Sequence, residues 1–121
     1  PSMVISGASA ADRAGIKEVA QETLRCLLST VPAAVPGIAF LSGGQSDEEA
    51  TQHLNAMNEI GGSLPWAVTF SYGRALQAAA MKRWAGHSDN VESARQVAFH
   101  RAQMNGAAAL GQYSSEMEKA A

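Results

Sequence analysis

The sequence predicts an α/β fold in which parallel strands alternate with helices, and it predicts this as one slice of a larger sheet or barrel. Three observations carry the prediction. Two short apolar runs, near 37–41 and 66–71, have the length and residue types of strands. Each is followed by a stretch of helical periodicity, and strands alternating with helices imply parallel pairing through crossover connections. Two strands alone would leave open edges and uncovered apolar faces, so the sheet should continue beyond them.

Residues 1–8 are loop-like, with Pro1, Ser6 and Gly7. Ile16, Val19, Ala20, Thr23, Leu24, Leu27 and Leu28 then recur at three- and four-residue steps, the pattern of an amphipathic helix. Ser9 followed by Asp12 has the spacing of a capping box for it, and Cys26 falls on its apolar side as a small buried filler. Pro32 and Pro36 end the helix.

Gly37-Ile38-Ala39-Phe40-Leu41 is bounded by glycines and predicts a strand buried on both faces. Ser46 with Glu49 makes a second capping box, and Asp47, Glu48 and Glu49 load the first turn with negative charge where the helix dipole favours it. Ala50, Leu54, Met57 and Ile60 give this helix its apolar face, and Gly61-Gly62 stop it.

Trp66 to Ser71 predicts the second strand. Gly73-Arg74 turns into a helix carrying Leu76, Ala79, Ala80, Met81 and Trp84. A last helix starts near Ser88-Asp89, with Glu92 at capping-box spacing from Asp89, and runs to Gly106 or beyond. Residues 111–121 read as a polar, mobile tail.

Composition narrows the function classes. The chain has 121 residues, 46% of them hydrophobic and only 17% charged, with a net charge of −2. That is one domain or part of one, with no basic stripe for nucleic acid. A single cysteine excludes an internal disulfide and a multi-cysteine zinc site. Apolar stretches such as Val31 to Leu41 carry Pro and Gly and are too short to span a bilayer. These features predict a soluble protein of a reducing compartment, without nucleic-acid or membrane partners. The first residue is Pro1 rather than Met, which reads as a chain that continued upstream.

The chemistry should sit where the strands end. Phe40-Leu41 runs into Ser42-Gly43-Gly44-Gln45-Ser46, and Phe70-Ser71 runs into Tyr72-Gly73-Arg74. In a parallel sheet both loops leave from the same edge, about 5 Å apart in the pairing direction. Glycines let backbone N–H groups approach an anion, and a guanidinium meets phosphate oxygens two at a time. Ser42, Gly43, Gly44 and Arg74 therefore form a candidate phosphate cradle. The acids at 47–49 would push the anion upstream, onto the Ser42 to Gly44 backbone. The same residues could equally be a turn followed by a helix cap.

Nothing else suggests a reactive group. His53, His87 and His100 lack metal-ligand spacing and read as solvated or capping residues. Tyr72 and Trp66 read as packing groups, Tyr72 near the site mouth, and Met57, Met81 and Met104 as core. Lys17, Lys82 and Lys119 are not placed like a Schiff-base lysine, which needs a desolvated pocket.

Three stretches then identify a family. Val31 to Ala50, with its Phe40-Leu41-Ser42-Gly43-Gly44-Gln45-Ser46 centre, closely resembles class I fructose-1,6-bisphosphate aldolase. So do Leu54-Asn55-Ala56-Met57-Asn58 and Trp66 to Gln77, and the match covers nearly the whole chain. The resemblance implies the C-terminal third of a (β/α)8 TIM barrel, incomplete on its own because a complete barrel needs about 200 residues at minimum. It implies reversible cleavage of fructose 1,6-bisphosphate into dihydroxyacetone phosphate and glyceraldehyde 3-phosphate through a lysine imine, with no metal or other cofactor.

Carried over residue by residue, Ser42, Gly43, Gly44, Gly73 and Arg74 match positions that hold the phosphate of the dihydroxyacetone portion, and Leu41 and Ser71 match walls beside the substrate. The family's imine-forming lysine immediately precedes the residue that is Pro1 here, so this chain alone should be inactive. The implied partners are a sugar phosphate, the N-terminal part of the barrel and, in the full enzyme, three further copies in a homotetramer; the implied location is cytoplasmic. Two other readings are a non-catalytic phosphate-binding fragment and a helical interaction module without ligand.

Overall fold

The computed structural model describes residues 1–120. Helix α1 spans Ile16–Thr30, strand β1 Gly37–Phe40, helix α2 Asp47–Ile60, strand β2 Ala67–Phe70, helix α3 Arg74–Trp84 and helix α4 Val91–Ala109. Single 3-10 segments cover Ser88–Asn90 and Ser115–Ala120. The strands pair in parallel, with Gly37 opposite Ala67 and Phe40 opposite Phe70, and α2 connects them.

Helix α2 lies at the centre of the packing, against α1, α3, α4 and β2. Its Ala50, Leu54 and Met57 are fully buried among Val19, Ala20 and Leu24 of α1, Ile38, Phe40 and Val68 of the sheet, and Met104 and Ala108 of α4. Polar ties complete the fit. Asn58 Nδ2 lies 3.1 Å from each of three carbonyl oxygens, those of Leu54, Val68 and Ala108, and so joins α2, β2 and α4. Trp66 Nε1 donates to Pro32 O at 3.0 Å, tying the entry of β2 to the end of α1.

Several expectations are corrected. The strands are buried on one face only: Ile38, Phe40 and Val68 point inward, whereas Gly37, Ala39 and Ala67 are exposed. The helices cover a single side of the sheet, so residues alternate with the two-residue period of a strand.

The Ser9–Asp12 box does not form. α1 begins at Ile16 behind Gly15, which caps without a side chain, and Ser6 Oγ accepts the Ala14 N–H at 2.8 Å, holding this segment in a loop. α4 likewise starts behind Asn90 without a side-chain cap, and it continues through Gly106 to Ala109. Cys26 and Met81 are exposed, not core. α3 buries only Ala75, leaving Met81 and Trp84 at the surface.

The segment after Leu110 is packed rather than a mobile tail. Tyr113 is buried, its N–H donates to Asn55 Oδ1 at 2.9 Å, and Glu118 is held by Arg101, His100 and Tyr113. Ala121 lies outside the described residues.

Candidate functional site

Both strands end at the same edge, and the ladder carries on one step beyond them: Ser71 N donates to Phe40 O at 2.9 Å. The loops that follow are therefore side by side. After β1 the chain makes a tight turn, closed by Gln45 N donating to Ser42 O at 3.2 Å. Gly44 occupies this turn with φ +76°, a backbone region that favours glycine, and a Cβ there would stand 2.8 Å from Ile5 Cδ1. Among the described residues neither the Gly43 nor the Gly44 N–H donates to another group. Both glycines are exposed.

The turn hands over to α2 through the predicted capping box. Ser46 Oγ accepts from Glu49 N at 3.1 Å, and the Glu49 carboxylate accepts from Ser46 N at 2.8 Å. That backbone hydrogen bond, helped by Arg13 against a smaller effect of burial, holds the Glu49 carboxyl below its ordinary value. Arg13 lies 3.7 Å from Glu49, with its other terminal nitrogen 3.5 Å from Gly44 O.

After β2, Gly73 precedes Arg74, the first residue of α3. Arg74 Nη2 donates to Ser42 O at 3.0 Å and to Gln45 O at 2.8 Å. One nitrogen thus grips both ends of the glycine turn, and Nε and Nη1 of the same guanidinium donate to nothing among the described residues. Ser42 is buried; Leu41, Ser71 and Gly73 are exposed around it.

Ser42, Gly43, Gly44 and Arg74 are therefore brought together, with Ser71 and Gly73 on the adjoining loop. Tyr72 lies inside rather than at a mouth: its hydroxyl donates to Ala50 O at 2.8 Å, and burial pushes it up. His53 is buried, not solvated; its Nδ1 sits 2.7 Å from Gln45 Oε1, and burial pushes it below its ordinary value. Gln45, His53 and Arg13 are the site neighbours that sequence reasoning missed. Gln45 sat inside a recognised motif, but its inward orientation has no periodic signature. Lys17, Lys82 and Lys119 are exposed, and no cluster of His, Cys, Asp or Glu among the described residues could hold a metal ion.

Fold and site together define an α/β chain of βα units whose strand-end loops converge on a glycine turn and a guanidinium. A family model described as fructose-bisphosphate aldolase class-I matches residues 1–121. The chain belongs to that family. It is 57% identical over 113 residues to a probable fructose-bisphosphate aldolase class 1 of Xanthomonas axonopodis pv. citri, covering 93% of this chain and 34% of that protein. It is 47% identical over 118 residues to "Fructose-bisphosphate aldolase 4, cytosolic" of Arabidopsis thaliana, covering 98% of this chain and 30% of that one. The fructose-bisphosphate aldolase of Plasmodium falciparum, solved in complex with TRAP and a small-molecule inhibitor, superposes with TM-score 0.92 at 47% identity over 95% of this chain and 33% of that one. The chain thus spans about a third of the length of the relatives it matches.

Proposed function

We propose that this chain supplies the phosphate-binding corner of a class I fructose-bisphosphate aldolase, an enzyme that reversibly cleaves fructose 1,6-bisphosphate into dihydroxyacetone phosphate and glyceraldehyde 3-phosphate. The observation that carries the reading is the Arg74 guanidinium spanning Ser42 O and Gln45 O, beside the undonated Gly43 and Gly44 N–H groups. Two backbone donors and the free side of a guanidinium suit a phosphate dianion. The acids that follow are partly neutralised, since Glu49 is tied to Ser46 N and lies near Arg13.

The whole enzyme would be a (β/α)8 barrel of which this is the C-terminal part. The exposed face of β1 and β2 supports this, since a closed barrel would cover it with further strands and side chains. The Schiff-base lysine would come from outside this chain. The lysine's imine would act as the electron sink for carbon–carbon cleavage. Ser42 to Gly44, Gly73 and Arg74 would fix one substrate phosphate, with Leu41 and Ser71 as walls, so that the ketone lies over that lysine. Their contribution is positioning. A cytoplasmic location is supported by the Arabidopsis relative's name, and homotetramer formation by family resemblance alone.

Inorganic phosphate titrated into the chain, followed through the Gly43 and Gly44 amide resonances, tests the site. Arg74→Ala should abolish the response; an unchanged response would refute the cradle. Borohydride in the presence of substrate should trap nothing on this chain, and a covalent adduct would overturn the assignment of the lysine elsewhere.

A further inference from the structure

Beneath the glycine turn lies a buried polar pair that the proposed chemistry leaves unused. Gln45 closes the turn, and its side chain points inward; the residue is 3% exposed. Its Oε1 lies 2.7 Å from Nδ1 of His53, which sits on α2 and is 4% exposed. A carboxamide oxygen can only accept, so His53 Nδ1 carries the proton and donates. Gln45 Nε2 is buried without a partner among the described residues. Apolar side chains of similar size at both 45 and 53 would fill the same space with no buried polar group to satisfy, so stability alone does not call for this polar pair.

The backbone of Gln45 does account for it. Gln45 N donates to Ser42 O at 3.2 Å, and Gln45 O accepts from Arg74 Nη2 at 2.8 Å. Ser42 O accepts from that same Nη2 at 3.0 Å. A backbone rotation at Gln45 would therefore move one of the two acceptors that aim the guanidinium, Gln45 O, and break the Gln45 N–Ser42 O bond that holds the turn carrying the other. The side chain that resists such rotation is pinned by His53, on a rigid helix whose own start is fixed by the Ser46–Glu49 box.

We infer that Gln45 and His53 are positioning residues for the anion site, a buried pair that sets the Ser42–Gln45 turn and through it the direction of Arg74. This rests on the reading of the strand-end loops as a phosphate site. Loosening the support of a site, without touching the site itself, is expected to reduce affinity.

The test is inorganic phosphate titrated into the full chain, read from the Gly43 and Gly44 amide resonances, with the melting temperature of each variant recorded alongside. Gln45→Leu combined with His53→Leu removes both partners, and it should keep the wild-type melting temperature while weakening phosphate binding about tenfold. His53→Leu alone should also weaken binding, and His53→Gln, which again offers Gln45 Oε1 a donor, should recover most of that loss. If Arg74→Ala leaves the phosphate response intact, the site reading itself fails. If Arg74→Ala abolishes the response but the double variant binds as tightly as wild type, the positioning role alone is overturned. A double variant that unfolds, together with a folded Gln45→Met that binds normally, would reduce the pair to a structural role.

Discussion

Arg101 Nη1 donates to both carboxylate oxygens of Glu118, at 2.7 and 2.8 Å, and Arg101 is itself only 5% exposed. The guanidinium also reaches α2, donating through Nη2 to Thr51 Oγ1 at 2.6 Å. Glu118 accepts in addition from Tyr113 at 3.0 Å and contacts His100 Nε2 at 2.7 Å. The last residues are thereby fastened to α4 and to α2, the helix whose start carries the glycine turn. Burial first, then Glu118, pushes the Tyr113 hydroxyl up to about 12, so it stays a donor at every ordinary pH.

Removing Glu118 leaves a buried guanidinium without its counter-charge. Glu118→Ala should lower stability by about 2–3 kcal/mol, and Glu118→Gln, which keeps one acceptor, by less. Urea denaturation at neutral pH measures this. A loss below about 0.5 kcal/mol would mean the tail contributes nothing to the fold.

Glu118 and His53, the most buried of the acidic and imidazole groups with shifted titration, give the stability a pH dependence of known sign. Burial pushes the Glu118 carboxyl up, but hydrogen bonds from Arg101 and then His100 outweigh it and hold the group below its ordinary value of 4.5. The unfolded state then binds the proton more readily, so this contribution is complete above that value and is lost as the pH falls through and below it. His53 is pushed below its ordinary value of 6.5 by burial, so the unfolded state again takes up protons first. Wild-type stability should begin to fall as the pH drops through 6.5, and fall again below 4.5. His53→Gln should flatten the upper step and Glu118→Gln reduce the lower one, as urea midpoints across pH will record.

How much of this was legible in the sequence depends on the range of the interaction. The Ser46–Glu49 box formed because an apolar helical run begins directly behind it. Ser9 and Asp12 have the same spacing, but Gly15 intervenes and Ser6 engages Ala14 instead, so spacing alone misled. Met81 repeats at helical steps like Met57, yet periodicity does not say which side of α3 meets a neighbour. Thr23 is buried because its Oγ1 accepts Val4 N at 2.9 Å, a contact between distant segments, and the adjacent Cys26 is left outside. The approach of Arg74 to Ser42 followed from parallel pairing and was readable; the Gln45–His53 contact depends on one rotamer beneath a turn and was not.

Gly44 is required for two separable reasons. Its φ of +76° costs a non-glycine residue about 1–2 kcal/mol, and a Cβ would press on Ile5 Cδ1 at 2.8 Å. Gly44→Ala should therefore destabilise the protein and weaken phosphate binding together. Adding Ile5→Ala removes the contact and leaves the backbone cost. The cycle of single and double variants, measured by urea denaturation, should give a favourable coupling; strict additivity would mean that the Ile5 tip simply moves aside.

Arg74→Lys separates charge from geometry. In the structure a single nitrogen of Arg74 serves two carbonyls, leaving Nε and Nη1 for an anion. A lysine has one nitrogen with three hydrogens, so holding both carbonyls leaves at most one for phosphate. Losing a hydrogen bond to a charged group costs about 1.5–3 kcal/mol, which is roughly tenfold to a hundredfold in affinity. Arg74→Lys should therefore bind inorganic phosphate at least about tenfold more weakly than wild type, yet more tightly than Arg74→Ala. Its residual binding, being mainly the attraction of an exposed point charge, should fall more steeply with added salt. Isothermal titration at two ionic strengths reads both effects. Equal affinities for arginine and lysine would show that charge alone suffices and that the remaining guanidinium donors, Nε and Nη1, have no part in recognition.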